Sequence, residues 1–449
     1  MNILILGAGE IGFYLAEQLS ETEHNVCIIE ADENVANEVA DKIDARIVQG
    51  NGSAVSVLEE AGVAECDVFL GLSSSDNTNV VAASLAKSLG TKKVIARVHS
   101  EVQQQQWLFD YRTHFNIDYL FSSERIAAVE LAKFIRNPHS LTVEEVAGGR
   151  IELQVIEVQS GSAATGHALR DLPLPPRIRI GSIRRSDRNI IPSAQESLKS
   201  GDVVTLFGNP RRLQEIMHMF RSVPPSQEET RVVIFGGGEY GLALAQMLEG
   251  GRFRTRIFEK NERRCEVLSR LLRNTTLINA DATSMRQLRE EQVGEADFFI
   301  AATLDDEDNV MTCLQARDLG AKHCVTLIHR ADYADTITRA GDRLGILGAV
   351  SPRVATKRDL MRFMTGDRFS TLLELENDIE LIEFPVHKDG RLDGKKVSDI
   401  AWPEGSGLVA LTHGSSAAVP SAEDVLHGGD SVIALVSKSA RREFSRLVS

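Results

Sequence analysis

The stretch "MNILILGAGEIG" (residues 1–12) runs from a short apolar segment straight into a Gly-x-Gly-x-x-Gly pattern, and "RVVIFGGGEYG" (residues 231–241) does so again. The pattern carries weight only when a strand precedes it, a helix follows it and an acidic residue closes the next strand. In the first stretch "NILIL" reads as a buried strand, "EIGFYLAEQLS" as an amphipathic helix, and "NVCIIE" as a second strand ending on Glu30. Glu259 holds the same place after the second stretch, and each acid stands 18 residues beyond the third glycine.

Two such loops follow from a duplication. Gly7, Gly9, Gly12 and Glu30 fall on Gly236, Gly238, Gly241 and Glu259 at an offset of 229. One inserted residue later, "DVFLGLSSSDNTNV" (67–80) meets "DFFIAATLDDEDNV" (297–310) and "SLAKSLG" meets "LQARDLG". Further on, Gly166, Asp171, Pro192, Gly201 and Asp202 meet Gly394, Asp399, Pro420, Gly429 and Asp430 at an offset of 228. The chain is two copies of one two-part unit, and recognising this first governs every later assignment.

The first part of each copy alternates strands and helices, with "ARIVQ", "DVFLGL" and "KKVIARV" as further apolar β runs. That alternation predicts a parallel, doubly wound sheet covered on both faces. "SSERIAAVELAKFIRNP" reads as a Ser-capped helix stopped by Pro138, and "SPRVATKRDLMRFM" holds the same place in the second copy. The second part of each copy is poorer in helical periodicity: "IELQVIEV", "RIRIGSIRR" and "GDVVTLFG" read as strands and "RRLQEIMHMF" as a closing helix. The expected fold class is α/β, with two Rossmann-like domains over 1–138 and 230–368. Each is followed by a small α+β module, over 139–221 and 369–449, and the polar, proline-marked "SVPPSQEET" (222–230) links the copies.

In such a loop the first glycine permits a tight turn, the second lets backbone approach a pyrophosphate, and the third allows close helix–strand contact. Free N–H groups and the helix dipole then favour an anion. A carboxylate at Glu30 or Glu259 can accept both ribose hydroxyls of an adenosine and would repel a 2′-phosphate, which favours NAD or an adenine nucleotide over NADP. The plainer alternative is a tight turn in a degenerate domain. Ser73, Asp76 and Asn79 follow the fourth strand of the first copy, and Thr303, Asp306 and Asn309 that of the second. They lie at the carboxyl edge of the sheet, where ligands bind in these folds; Asp76 and Asp306 read equally well as helix caps. Arg97 ends the fifth strand as a cation able to face a phosphate, whereas the aligned residue is Leu327, followed by His329 and Arg330. The two copies are therefore expected to differ in ligand or affinity.

The totals restrict the remaining classes. No apolar run in the 449 residues approaches the roughly 18 needed to span a bilayer. "MNILILGAGE" lacks the basic flank and long apolar region of a signal peptide, so a cytoplasmic location is expected. A net charge of −14 argues against a nucleic-acid partner. The local basic patch Arg184, Arg185 and Arg188 reads as a solvated loop. Cys27, Cys66, Cys265, Cys313 and Cys324 show no CxxC spacing and read as buried reduced thiols. A dehydrogenase would need an acid or base beside the nicotinamide, and the repeated second parts share no His, Lys, Tyr or Cys.

The run "MNILILGAGEIG…IIE…IVQGNGS…LGLSSSDNTNVVAASLAKSLG…VIARV" resembles the TrkA N-terminal domain, also called the RCK or KTN domain. The modules ending "GDVVTLFG" and "GDSVIALV" resemble the TrkA C-terminal domain. The N–C–N–C order is similar to the tandem-RCK family of peripheral subunits of bacterial Trk potassium uptake systems. The resemblance implies a regulatory protein, not an enzyme: a homo-oligomeric gating ring, dimer or tetramer, at the inner face of the membrane beneath a TrkH- or TrkG-like potassium transporter. NAD+, NADH, ATP or ADP at the Rossmann sites would change its shape. It implies a first site of Gly7, Ala8, Gly9, Glu10, Ile11, Gly12, Glu30, Asn51, Ser73, Asp76 and Arg97. Gly236, Gly238, Glu239, Tyr240, Gly241, Glu259, Asp281 and Thr303 would form the second, and no metal site is implied. The remaining alternatives are an NAD-dependent oxidoreductase and an RCK-type regulator of another cation transporter.

Overall fold

The apolar run Asn2–Leu6 (β1) becomes the central strand of a six-stranded parallel sheet. Around it lie β2 (Asn25–Glu30), β3 (Arg46–Gln49), β4 (Val68–Gly71), β5 (Lys93–Arg97) and β6 (Tyr119–Phe121), in the order β3-β2-β1-β4-β5-β6. Every residue of β4 and all but the first of β1 are buried, as a strand covered on both faces requires. The order reverses beside β1, which puts the Gly7–Gly12 loop at the switch point where doubly wound sheets bind ligands. The computed structural model describes residues 1–22, 24–100, 102, 108–137, 140, 142–146, 150–186, 188–222, 229–249, 253–365, 370–375, 379–413 and 416–448. Pro138 and most of the 222–230 linker lie outside the described residues.

The module that follows is a five-stranded antiparallel sheet of β7 (Thr142–Val146), β8 (Ile151–Glu157), β9 (Arg179–Arg185), β10 (Arg188–Ile190) and β11 (Val203–Gly208). The second copy repeats both sheets. Its parallel sheet is β12 (Thr230–Phe235), β13 (Phe253–Phe258), β14 (Thr276–Ile278), β15 (Phe298–Ala301), β16 (His323–Leu327) and β17 (Ile346–Val350), in the order β14-β13-β12-β15-β16-β17. The last sheet is antiparallel, of β18 (Ser370–Leu375), β19 (Ile379–Pro385), β20 (Ser406–His413), β21 (Ser416–Ala418) and β22 (Ser431–Ser437). Two details differ from the sequence reading. The closing helix of the first module is α-helical only over Pro210–Ile216 and tightens to 3-10 over Met217–Phe220. Arg184 and Arg185 end β9 and Arg188 opens β10, so the basic patch lies on a hairpin; Arg185 is bound by Asp202 and Glu196 instead of solvated.

Copies that run N–C–N–C in sequence pair like with like in space. One compact unit holds Met1–Ile135 with Glu228–Met364, and the other holds Arg136–Gln227 with Thr365–Ser449. Within the first unit the two Rossmann halves exchange their last helices. Helix Ser123–Arg136 buries Ala127, Ala128, Leu131, Ala132 and Ile135 in a core with Val232, Ile234, Leu242, Ile257 and Val325 of the second half. Helix Pro352–Thr365 returns the exchange, setting Leu360 and Met364 among Ile3, Ile5, Leu15, Ile28 and Phe121 of the first half. Each fully buried Leu or Ile contributes roughly 1.5–3 kcal/mol, so each half draws several kcal/mol of its core packing from the other's helix. Tyr119 donates to Asp359 at 2.8 Å and Lys357 to Gln18 at 2.6 Å, fixing the returned helix in register along helix Glu10–Ser20. Within the second unit Val146, Leu153 and Phe207 share a core with Leu381, Val409 and Leu435.

Candidate functional site: two glycine loops

The three glycines of each loop are glycine for different reasons. Gly7 has φ +96°, a region side chains rarely adopt, and a Cβ there would meet the Ser73 backbone at 2.8 Å. A Cβ on Gly12 would stand 1.9 Å from the Gly7 carbonyl oxygen, so helix Glu10–Ser20 can touch the loop only through a bare Cα. Gly9 has φ −64°, and an added Cβ would meet nothing within 4 Å among the described residues. Neither strain nor packing within the chain requires glycine there. Gly236, Gly241 and Gly238 repeat the same three conditions. Gly9 and Gly238 are also the N-cap residues of their helices, with no side-chain cap, so first-turn N–H groups and the helix dipole face the open side of each loop.

Glu30 holds its loop in place. Oε2 accepts from the Ala8 N–H at 2.7 Å, and Oε1 accepts from the N–H groups of Ala31 at 2.7 Å and Asp32 at 3.0 Å. A carboxylate has about four acceptor positions, so one remains for a ribose hydroxyl. Glu259 accepts from Gly237 at 3.0 Å and Asn261 at 2.8 Å. Asn51 and Asp281 form matching side-chain turns, accepting from the N–H groups of Ser53 and Thr283 at 3.0 Å each. Hydrogen bonds from the Thr283 backbone and hydroxyl hold the Asp281 carboxyl below its ordinary range.

At the edge of β4, Asn79 is a clamp. Its Oδ1 accepts from the Ser73 N–H and hydroxyl at 2.9 and 2.7 Å, and its Nδ2 donates to the carbonyls of Ser73 and Arg97 at 2.9 and 3.0 Å. Asn309 makes the same four bonds with Thr303 and Leu327. The helix caps are Ser75 and Asp305, each one residue before the aspartates for which capping was one of two open readings. Asp76 instead accepts from His99 Nδ1 at 2.8 Å, and buried Asp306 from His329 Nδ1 at 3.1 Å.

The halves diverge around Arg97. Its Nη2 donates to Glu124 at 2.7 Å, while its buried Nε has no hydrogen-bond partner among the described residues. Burial alone would raise the Glu124 carboxyl, but the Arg97 guanidinium and a hydrogen bond from Ser122 outweigh it and hold the group below its ordinary value. Leu327 is instead fully buried in the core beneath the exchanged helix. Of the two candidates to compensate, Arg330 stacks over Tyr333 at 3.6 Å and pairs with Asp332. His329 lies edge-on to the Tyr240 ring at 5.5 Å, its Nε2 buried and without a hydrogen-bond partner among the described residues. Burial raises the Tyr240 hydroxyl; Glu124 and Glu10 reinforce the shift, and Arg97 and Arg353 oppose it. The two loops thus share one electrostatic neighbourhood. Glu124, Arg353 and His99 were not among the residues expected there. Glu124 and Arg353 are 229 positions apart, the offset of the loops themselves, and their opposite charges were a readable signal.

Cys66, Cys313 and Cys324 are buried free thiols as expected, whereas Cys27 and Cys265 are only half-buried, Cys265 lying 3.5 Å from the Glu259 carbonyl. Burial raises all five, Cys66 up to about 11 and Cys324 up to about 12. Among the described residues no cluster of His, Cys, Asp and Glu has the arrangement of a metal site. No described helix is long and apolar enough to cross a membrane.

The TrkA-N domain family matches residues 3–111 and 232–351, and the TrkA-C domain family matches residues 153–221 and 381–449. The chain is 32% identical over 458 residues to the Trk system potassium uptake protein TrkA of Halomonas elongata, covering 100% of this chain and 98% of that one. It is 29% identical over 456 residues to the Trk system potassium uptake protein TrkA homolog 2 of Methanosarcina mazei, with both chains wholly covered. Among solved structures, the GsuK channel bound to NAD is similar with a TM-score of 0.62 at 18% identity, over 100% of this chain and 78% of that chain. At that identity the likeness speaks for the fold.

Proposed function

Since the chain belongs to the TrkA family of Trk system potassium uptake proteins, we propose that it is the nucleotide-sensing regulatory subunit of such a system. It binds NAD(H), ATP or ADP at its glycine loops and controls potassium flux through a TrkH- or TrkG-like membrane partner. It works as a cytoplasmic homo-oligomer that reaches the membrane through that partner, and it does not turn the nucleotide over. The observation that carries the reading is the open space over Gly9 and Gly238, the two loop glycines that the chain's own packing does not explain. A pyrophosphate approaching a helix N-terminus gives those positions a reason to be glycine.

A ligand moves a switch only through differential affinity for its two states. The exchanged helices supply a route, because each loop helix is packed against a helix rooted in the other half. A nucleotide that tightens one loop bears directly on the contact between halves. Glu30, anchored by three backbone N–H groups, stands where a 2′-phosphate would meet like charge, so NADH is favoured over NADPH.

The test is reconstitution of the membrane partner in liposomes, with and without this protein, while NADH, ADP and ATP are varied. Potassium flux should change with nucleotide in the parent and lose that response in Gly9→Val. Flux indifferent to the protein under every nucleotide condition would remove the regulatory reading. Saturable oxidation of NADH with a keto acid, aldehyde or quinone would put the protein among the oxidoreductases.

A further inference from the structure

The first loop is bordered by a cation that its own half does not supply. Arg353, second residue of helix Pro352–Thr365, comes from the second half and places Nη2 3.3 Å from Oε2 of Glu10, the residue that follows Gly9. Its side chain is 23% exposed, against 66% for Glu10, and its Nε is buried with no hydrogen-bond partner among the described residues. Arg353 is also held in position. Lys357, one turn on, bonds Gln18, and Leu360 and Met364 lie in the first half's core, so the guanidinium cannot drift along helix Glu10–Ser20.

The counterpart of Arg353 is Glu124, an acid, so at that position the helix lent to the second loop brings a carboxylate in place of a guanidinium. The loop acid there, Glu239, is met within its own half by Arg264 at 3.0 Å. Arg264 is tied down by a bond from its Nε to the Gly237 carbonyl at 2.7 Å. The cation at the second loop is thus fixed to backbone, whereas the one at the first loop is paired, among the described residues, with a largely exposed carboxylate. Such a pair is worth about 0–1 kcal/mol and yields readily to a better partner. A phosphate is that partner, because the planar guanidinium fork can give it two parallel charge-assisted hydrogen bonds.

We propose that Arg353 is a phosphate-binding residue of the first nucleotide site, acting from the second half, and that it makes this site select nucleotides carrying phosphates beyond the first. On binding, the outer phosphates replace Glu10 as the partner of Arg353, and Glu10 turns to water. The α-phosphate remains with the helix N-terminus and does not depend on Arg353. The inference rests on the nucleotide-binding reading and adds to it the chemistry that distinguishes the two sites.

The experiment is calorimetric titration of the full chain with ATP and with AMP, in a Gly238→Val background so that the first loop is measured alone. Arg353→Gln should weaken ATP about tenfold or more while AMP changes less than about twofold. Glu10→Gln, which removes the competing carboxylate, should tighten ATP and leave AMP unchanged; this arm decides the matter if Arg353→Gln melts early. Equal weakening of ATP and AMP by Arg353→Gln, no weakening of ATP, or weaker ATP binding by Glu10→Gln would each overturn the role of Arg353 and leave the nucleotide site standing. Binding of neither ATP nor AMP before residue 353 is altered, with NADH bound in a parallel titration, would overturn the role of Arg353 alone; binding of none of the three would overturn both readings together.

Discussion

The first and second Rossmann halves are built on the same glycine loop and diverge at positions that face each other across it. The first half has Arg97 paired with Glu124; the second has Leu327 sealed in the core and an arginine, Arg353, in place of the acid. What both keep are the parts that shape backbone: the positive-φ first glycine, the bare third glycine, the carboxylate under the loop and the asparagine clamp. What differs are charged side chains at the seam between the halves. Duplication preserved the machinery of a nucleotide loop and freed the second copy to give its partner a different charge.

The contrast breaks first at the third glycine. Gly12→Ala drives a Cβ into the Gly7 carbonyl and should unfold the first half or destabilise it by more than about 4 kcal/mol, a cost in the exceptional range for single substitutions. Thermal unfolding with hydrogen exchange should show the damage beginning in β1–β6. The same change at Gly241 should begin in β12–β17.

A smaller effect tests the exchange itself. Leu360→Ala should cost about 2–5 kcal/mol, the usual range for emptying a buried leucine, and should loosen the first half although residue 360 is encoded with the second. Leu131→Ala should do the converse. Exchange protection lost in the half that carries the substitution, and kept in the other, would contradict the crossed packing.

The seam charge comes next. The Glu124 carboxyl sits below its ordinary value when folded, so its stabilisation is complete above the unfolded value of about 4.3 and is lost as pH falls through the lower folded one. Glu124→Gln should destabilise the protein by about 1–3 kcal/mol at neutral pH, because Arg97 loses its charged partner, and should flatten the acid limb of the stability curve. Guanidinium unfolding at pH 7 and near pH 3.5 measures both. An acid limb of unchanged slope would mean that other carboxylates carry it.

The smallest effect on stability belongs to the second glycine. Gly9→Ala and Gly238→Ala should each shift stability by no more than about 1 kcal/mol, chiefly because alanine is the poorer N-cap. The larger Gly9→Val should nevertheless abolish nucleotide binding at the first site. Calorimetry on that variant matching the parent would make Gly9 a turn residue and no more. Two sites of equal affinity in the parent would sharpen the comparison the other way, by making the seam charges irrelevant to the ligand.

Sequence reasoning read these features unevenly, for physical reasons. Buried parallel strands and their loops are legible because period and glycine spacing are local properties, and the repeat presents the pattern twice. Strand β6 was missed, since three residues carry too little pattern. The exchange was not legible. The apolar face of residues 127–135 states that the helix must cover a core, and nothing in its period says whose. The capping alternative for Asp76 and Asp306 falls one residue late because Ser75 and Asp76, like Asp305 and Asp306, are all good capping types; only backbone conformation at the boundary separates them. Arg97 reads in the sequence as a cation able to face a phosphate; its partner Glu124, 27 residues downstream, reaches it through the packing of β5 against β6, which no local pattern announces.

The crossed helices also set a constraint on synthesis. An N-terminal domain ordinarily folds as it leaves the ribosome, before the rest of the chain exists. Here the residues that close the face formed by Ile3, Ile5, Leu15 and Phe121 are Leu360 and Met364, more than two hundred positions later. The nascent first half therefore waits, its apolar face uncovered, while an entire module and most of the second half are translated. A message that ends early does not yield a smaller complete protein. It yields a sheet that keeps the cover of helix Glu10–Ser20 but lacks Leu360 and Met364, and exposes that part of its core to water and to other unfinished chains.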